Sequence, residues 1–213
     1  MDVYQTEEEQ IETIKKWWAE NGKSIILGVI LGLVGLFGWR SWQGHVVKQA
    51  AAASAIYQQL VTDMANGKID DAEQTANEIT GKYAHTEYAV FSKLILAKIA
   101  VEAGKLDAAA GHLRWALKHN SQPSMDREIR LRLARILTAE KKYDAAVKAL
   151  DVRDPGEYLA SYQELRGDIA AKQGHKEAAR DDYEQALNAV RAAGSNTSIL
   201  ETKLDNLGIN AGS

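Results

Sequence analysis

The sequence predicts an all-α protein: one N-terminal transmembrane helix, then an α-solenoid of about four helical hairpins closed by a C-terminal capping helix. Three observations predict it. A single charge-free apolar run lies near the N-terminus. The chain holds 33 alanines against two prolines, Pro123 and Pro155, a mixture that favours helix over an all-β sandwich. After residue 48 a short phrase recurs at a spacing typical of helical-hairpin repeats.

Composition removes several functions before any motif is read. With 213 residues, 46% hydrophobic and 26% charged, the chain is long enough for a real core. The formal net charge is −3, with no strongly basic domain, so nucleic acid is not an expected partner. The absence of cysteine excludes disulfides, thiol catalysis and thiolate metal sites. A mean hydropathy of −0.33 is that of a soluble protein, but the average conceals one uneven segment.

From Ser24 to Trp39 sixteen residues carry no charge, between Lys23 and Arg40. As a helix this run spans about 24 Å, slightly short of a ~30 Å hydrocarbon core. Its flanks supply the difference: Lys23 and Arg40 can snorkel, and Trp17/Trp18 and Trp39/Trp42 sit where interfacial belts belong. A buried core helix has no need of tryptophan and a cation at both ends. A cleaved signal peptide would start short and basic, whereas six acids (Asp2, Glu7, Glu8, Glu9, Glu12, Glu20) precede this run. An uncleaved anchor in lipid is expected. Lys15, Lys16 and Lys23 against Arg40 and Lys48 give a small positive-inside vote for a cytoplasmic N-terminus.

Gly28, Gly32 and Gly35 fall within about 60° on a helical wheel. The four-residue spacing of the first two permits close approach of another transmembrane helix, so these three are candidate packing residues. Ahead of them Ile11, Ile14 and Trp18 follow i, i+3, i+7, the mark of a short amphipathic helix in the tail.

The recurring phrase reads Gly67-Lys68-Ile69-Asp70-Asp71-Ala72, then Gly104-Lys105-Leu106-Asp107-Ala108-Ala109. It returns as Lys141-Lys142-Tyr143-Asp144-Ala145-Ala146 and Gly174-His175-Lys176-Glu177-Ala178-Ala179. The last alanines are 37, 37 and 33 residues apart, a tetratricopeptide-like period. Glycine ends the first helix by accepting a left-handed conformation, and the acid caps or neutralises the start of the second. Lys141 departs from this by standing in the glycine slot. Ala97, Ala134 and Gly167 lie seven residues before a turn, where the first helix should touch its partner. Leu113, Leu150 and Tyr183 follow four residues after an alanine, as core positions. Asp154-Pro155-Gly156 marks an inter-repeat stop. Ser198 with Glu201 reads as a capping box leading into Ile199, Leu200, Leu204 and Leu207, a helix expected to cover the end of the stack.

No phosphate loop, zinc-protease motif, nucleophile elbow or paired metal-binding histidines occur, and His45, His85, His112, His119 and His175 are scattered. No cofactor and no enzymatic activity are expected. The one concentrated basic feature is Arg127, Arg130, Arg132 and Arg135. Asp126/Arg130 and Glu128/Arg132 are i, i+4 pairs, so much of this charge is neutralised within its own helix. The four arginines are also candidate lining for the groove that helical repeats form.

The sequence resembles the YfgM family, ancillary subunits of the SecYEG translocon in Gram-negative bacteria, over almost the whole chain. The resembling residues are Glu20-Asn21-Gly22-Lys23, Gly28-Val29-Ile30-Leu31-Gly32 and Gly38-Trp39-Arg40-Ser41-Trp42 around the anchor. Leu131-Arg132-Leu133-Ala134-Arg135 and Leu165-Arg166-Gly167-Asp168 continue the likeness in the repeats. The resemblance implies a single-pass inner-membrane protein with a cytoplasmic N-terminus and a periplasmic repeat domain. It further implies association with the translocon and the membrane-anchored periplasmic chaperone PpiD, and a negative role in Rcs envelope-stress signalling. The expected division is 1–23 tail, 24–42 anchor, 43–48 juxtamembrane linker and 49–213 repeat domain. A bitopic scaffold or signalling adaptor of another envelope machine is the alternative reading.

Overall fold

The computed structural model describes residues 7–208, and of Glu7 and Glu8 the backbone alone. Residues 1–6 of the expected tail, Asp2 among them, and residues 209–213 lie outside the described residues. The described residues form helices and no strand. The chain divides into two compact units, Met1–Ala51 and Ala52–Ser213.

Helix α1 (Glu7–Ala65) begins in the first unit and ends in the second, without a break. The expected linker, 43–48, is therefore helix. Within the first unit its large apolar side chains face outward: Leu31 is 63% exposed and Phe37 68%. Such a surface is stable only against lipid or another apolar partner, and this stretch is long and apolar enough to cross a membrane.

The second unit stacks the last part of α1 and eight further helices. They are α2 (Ile69–Lys82), α3 (Glu87–Glu102), α4 (Leu106–His119), α5 (Pro123–Ala139), α6 (Tyr143–Ala149), α7 (Leu159–Lys172), α8 (Lys176–Ala192) and α9 (Ser198–Asn206). Pairs α1/α2, α3/α4, α5/α6 and α7/α8 are the four hairpins. Each turn is built alike. The residue after the turn glycine donates its backbone N–H back to the first helix: Lys68 to the Asp63 carbonyl at 2.9 Å, Lys105 to Ala100 at 2.8 Å, His175 to Ala170 at 2.9 Å. This six-to-one bond needs a left-handed residue at the turn. Gly67 and Gly104 take it at φ 70°, Gly174 at 80°, and Lys141 takes it at 60° with Lys142 bonded to Leu137 at 2.8 Å.

The residues preceding the second helices are Lys68, Lys105, Lys142 and His175, and none of them makes a side-chain cap. The acids act within the first turns instead, as Asp70/Asp71, Asp107, Asp144 and Glu177, where negative charge meets the positive helix end.

Alanines let the helices cross closely. Three core clusters follow: Leu60, Ile79 and Leu96 with alanines 72, 76 and 89; a central one around Leu113, Ile129, Leu150 and Ile169; and a last one around Tyr183, Leu187, Leu200 and Leu207. Gly167 lets α8 approach so closely that a β-carbon there would lie 2.5 Å from the Tyr183 ring.

Helix α9 covers the end with Leu200 and Leu207, but Ile199 is 67% exposed rather than part of the cap core. The capping box is not formed. The Asn196 carboxamide oxygen accepts from the Ser198 backbone N–H at 2.8 Å and from its hydroxyl at 2.7 Å, leaving Glu201 to pair with Arg191 at 3.1 Å. A polar clasp holds α9 to α7: Lys203 Nζ donates to Glu164 Oε1 at 2.7 Å and to Asp168 Oδ1 at 2.6 Å. The Tyr183 hydroxyl donates to the same Asp168 oxygen at 2.8 Å.

Candidate functional site

Helix α3 is apolar on two faces. Ala97 and Ala100 belong to the buried face in the central cluster. The second stripe, Phe91, Leu94, Ile95, Lys98 and Val101, follows helical spacing and is only partly covered, Leu94 and Ile95 resting half-buried against the core clusters. Its outer side opens into a groove with two adjoining lobes. One, about 360 Å³, lies between α3 and α5, with Leu94, Leu113 and Ile136 among its walls and Lys98, Glu102, Arg132 and Arg135 at its edge. The other, about 250 Å³, runs from Leu94 and Ile95 to Phe91 and Tyr57, the latter from the part of α1 in the second unit.

The aromatic end is ordered by ring contacts. Tyr57 lies 5.5 Å from Tyr88 and 6.0 Å from Phe91 between centroids, and Phe91 meets Tyr88 edge-on at 6.2 Å. Burial, then the neighbouring Tyr88, push the Tyr57 hydroxyl above its ordinary pKa, so it stays a neutral phenol.

The four arginines of α5 divide among three situations. Arg132 and Arg135 border the groove, Arg132 paired with Glu128 on its own helix. Arg130 Nε is held by Asp126 Oδ2 at 2.6 Å. Arg127 reaches the inter-repeat turn, donating to the Asp154 carbonyl at 2.9 Å and its carboxylate at 3.0 Å. That carboxylate also accepts the Gly156 N–H at 2.9 Å, and the Tyr162 hydroxyl donates to the Arg127 carbonyl at 2.8 Å. Arg127 thus fastens the turn at Asp154–Gly156. A separate polar pocket of about 360 Å³ lies beside it, between Gln122 and Arg153. Tyr57, Phe91, Leu94 and Lys98 were not among the residues singled out from sequence. Their signal was their shared spacing on the first helices of adjacent hairpins.

In the first unit Trp17, Trp18, Trp39 and Trp42 are all more than half exposed. Lys23 and Arg40 are exposed too. Trp39 packs on Trp42 at 5.4 Å. Gly22 lies under the Trp18 indole, 3.1 Å from its Cε2 atom if a β-carbon is added. Gly28, Gly32 and Gly35 have nothing within 4 Å of that position. Among the described residues no three His, Asp or Glu side chains come together to hold a metal.

Stacked hairpins carrying an open groove, in a chain that also holds a helix apolar enough for a bilayer, define a helical-repeat scaffold protein. The family model described as a tetratricopeptide repeat-like domain matches residues 15–209. Among similar proteins are the ancillary SecYEG translocon subunit of Escherichia coli K12, 34% identical over 98% of this chain and 100% of that protein. The protein of the same name from Haemophilus influenzae Rd is 37% identical over 86% and 90%. The chain belongs to this family of ancillary SecYEG translocon subunits. Two solved structures share the fold at 15% identity: Pseudomonas aeruginosa pilF, with TM-score 0.59 over 75% of this chain and 69% of that one, and MamA, with TM-score 0.55 over 74% and 91%.

Proposed function

We propose that this chain is a single-pass subunit at the SecYEG translocon of the inner membrane, with residues 24–42 as anchor, the N-terminus cytoplasmic and the repeat domain periplasmic. The helix α1 glycines would pack against a transmembrane partner, and the groove would dock a segment of a partner or translocated protein. By its resemblance to the YfgM family, PpiD is the chaperone it links to the translocon, and Rcs signalling is the response it restrains. The observation that carries this reading is the likeness to the E. coli subunit along 98% of the chain, anchor and repeats together. The open glycine stripe supports it, because packing against small residues joins helices where lipid gives no hydrophobic drive.

Affinity purification of the full chain after mild solubilisation tests it. Translocon subunits should co-purify, and Gly32→Ile should reduce their recovery about fivefold or more while membrane insertion persists. Gly38→Ile, about 120° around the helix from Gly32, should do less. Recovery of a different envelope complex with no translocon subunit would establish the alternative, a tether for another machine.

A further inference from the structure

The groove has a charge sign that the molecule as a whole lacks. The chain carries a formal −3, yet Lys98, Arg132 and Arg135 edge the larger lobe against the single carboxylate of Glu102. That carboxylate is already engaged, 3.8 Å from the Lys98 ammonium, and Arg132 is balanced from outside the groove by Glu128. Arg135 is exposed, and none of the ion pairs among the described residues includes it. An uncompensated guanidinium offers a planar fork of donors that suits a carboxylate. Directly beneath lies apolar floor, Leu94 and Ile136, running on to Phe91 and Tyr57.

We propose that the groove selects a protein segment in which apolar side chains alternate with carboxylates. Its acids meet Arg135 and Arg132, and its apolar side chains lie along Leu94 toward Tyr57. This rests on the docking reading above and adds the sign of the partner's charge. A basic segment of equal apolarity meets the uncompensated Arg135 guanidinium, with Lys98 and Arg132 already paired beside it. A neutral one covers the floor and leaves the Arg135 fork unanswered.

The test uses the full chain in phosphatidylcholine nanodiscs and three short fluorescent peptides sharing the same leucines and phenylalanines. Their remaining positions are all Glu, all Gln or all Lys, and binding is read by anisotropy at low salt. The Glu peptide should bind about tenfold tighter than the Gln peptide, with the Lys peptide weakest, and the preference should shrink as salt rises. Arg135→Glu should weaken the Glu peptide about tenfold and change the Gln peptide less than about twofold. The side chain is exposed, so the helical circular dichroism spectrum should be unaltered. Equal binding of the Glu and Gln peptides, or indifference of the Glu peptide to Arg135→Glu, overturns the charge selection while leaving a docking groove. Failure of all three peptides to bind overturns both.

Discussion

Gly28, Gly32 and Gly35 in α1 and Gly167 in α7 are all interior helical glycines, residues that each cost a helix about 0.5–1 kcal/mol relative to alanine. Their surroundings are opposite. A β-carbon meets nothing within 4 Å at the first three and the Tyr183 ring at 2.5 Å at the fourth. In the repeat unit the reason for the glycine is a neighbour already in the chain. At Gly28, Gly32 and Gly35 no such neighbour exists among the described residues, so a compensating contact is left for a partner to supply. The same distinction holds for the large apolar residues: Leu113 is 1% exposed, Leu31 63%.

Substituting the glycines of the two units alike is the most direct way to break this contrast. Gly167→Val must push α8 away from α7, and overpacking of this kind costs about 3 kcal/mol. Thermal unfolding followed by circular dichroism should show a midpoint about 10 °C lower. Gly28→Val should move the same transition by no more than about 0.5 kcal/mol. Equal effects would mean that α1 has an intrachain partner.

The clasp of α9 sharpens the contrast, because it shows the repeat unit supplying its own cover. Lys203→Met leaves Glu164 and Asp168 facing each other without a cation. With the lysine side chain 27% exposed, a loss of about 1–2 kcal/mol is expected. Burial lowers the Lys203 pKa, but hydrogen bonds to Asp168 and Glu164 outweigh it and raise it above 10.5. A raised cation stabilises the fold fully below its unfolded value and less as pH climbs through the folded one. Stability should therefore fall in the wild type above about pH 10.5, and the methionine variant should fall less steeply. The Tyr183 hydroxyl, raised by burial and then by its bond to Asp168, acts in the same direction and keeps the variant's slope from vanishing.

The smallest effect concerns the one hairpin turn without glycine. Lys141→Gly relieves a left-handed conformation that costs about 1 kcal/mol with a β-carbon, and returns part of it as unfolded-chain entropy. A gain of about 0.5 kcal/mol is expected, visible as a small rise in the denaturant midpoint. A loss would show that the lysine side chain contributes more than its backbone costs.

Much of the repeat unit was legible because turn chemistry is local. Gly67, Gly104 and Gly174 stand where a six-to-one bond demands positive φ, and the recurring phrase itself marks Lys141 as the exception. The cap of α9 was misread because Asn196, two residues ahead, competes for the Ser198 backbone N–H that a helix-start pattern leaves out of account. Of the two roles open to the turn acids, neutralising the helix start is the one realised, since lysine and histidine occupy the cap sites two residues before them. The groove was the least legible part. Spacing on α5 marks Arg132 and Arg135, but nothing local says that α1 brings Tyr57 and α3 brings Phe91 to the same surface. That is a product of stacking.

The three core clusters follow one another along the chain, the first complete by Ile99, the second by Ile169, the third by Leu207. A chain that emerges N-terminal end first, from a ribosome or across a membrane, lets each cluster close while the residues of the next are still arriving. No early segment waits for a partner from the far terminus, which is the circumstance that leaves nascent chains open to aggregation. Only the closing step differs in kind: Tyr183 and Leu187 stay uncovered until Leu200 and Leu207 arrive and Lys203 reaches α7. Order of emergence along the chain and order of cluster completion then coincide, with the clasp as the last contact made available.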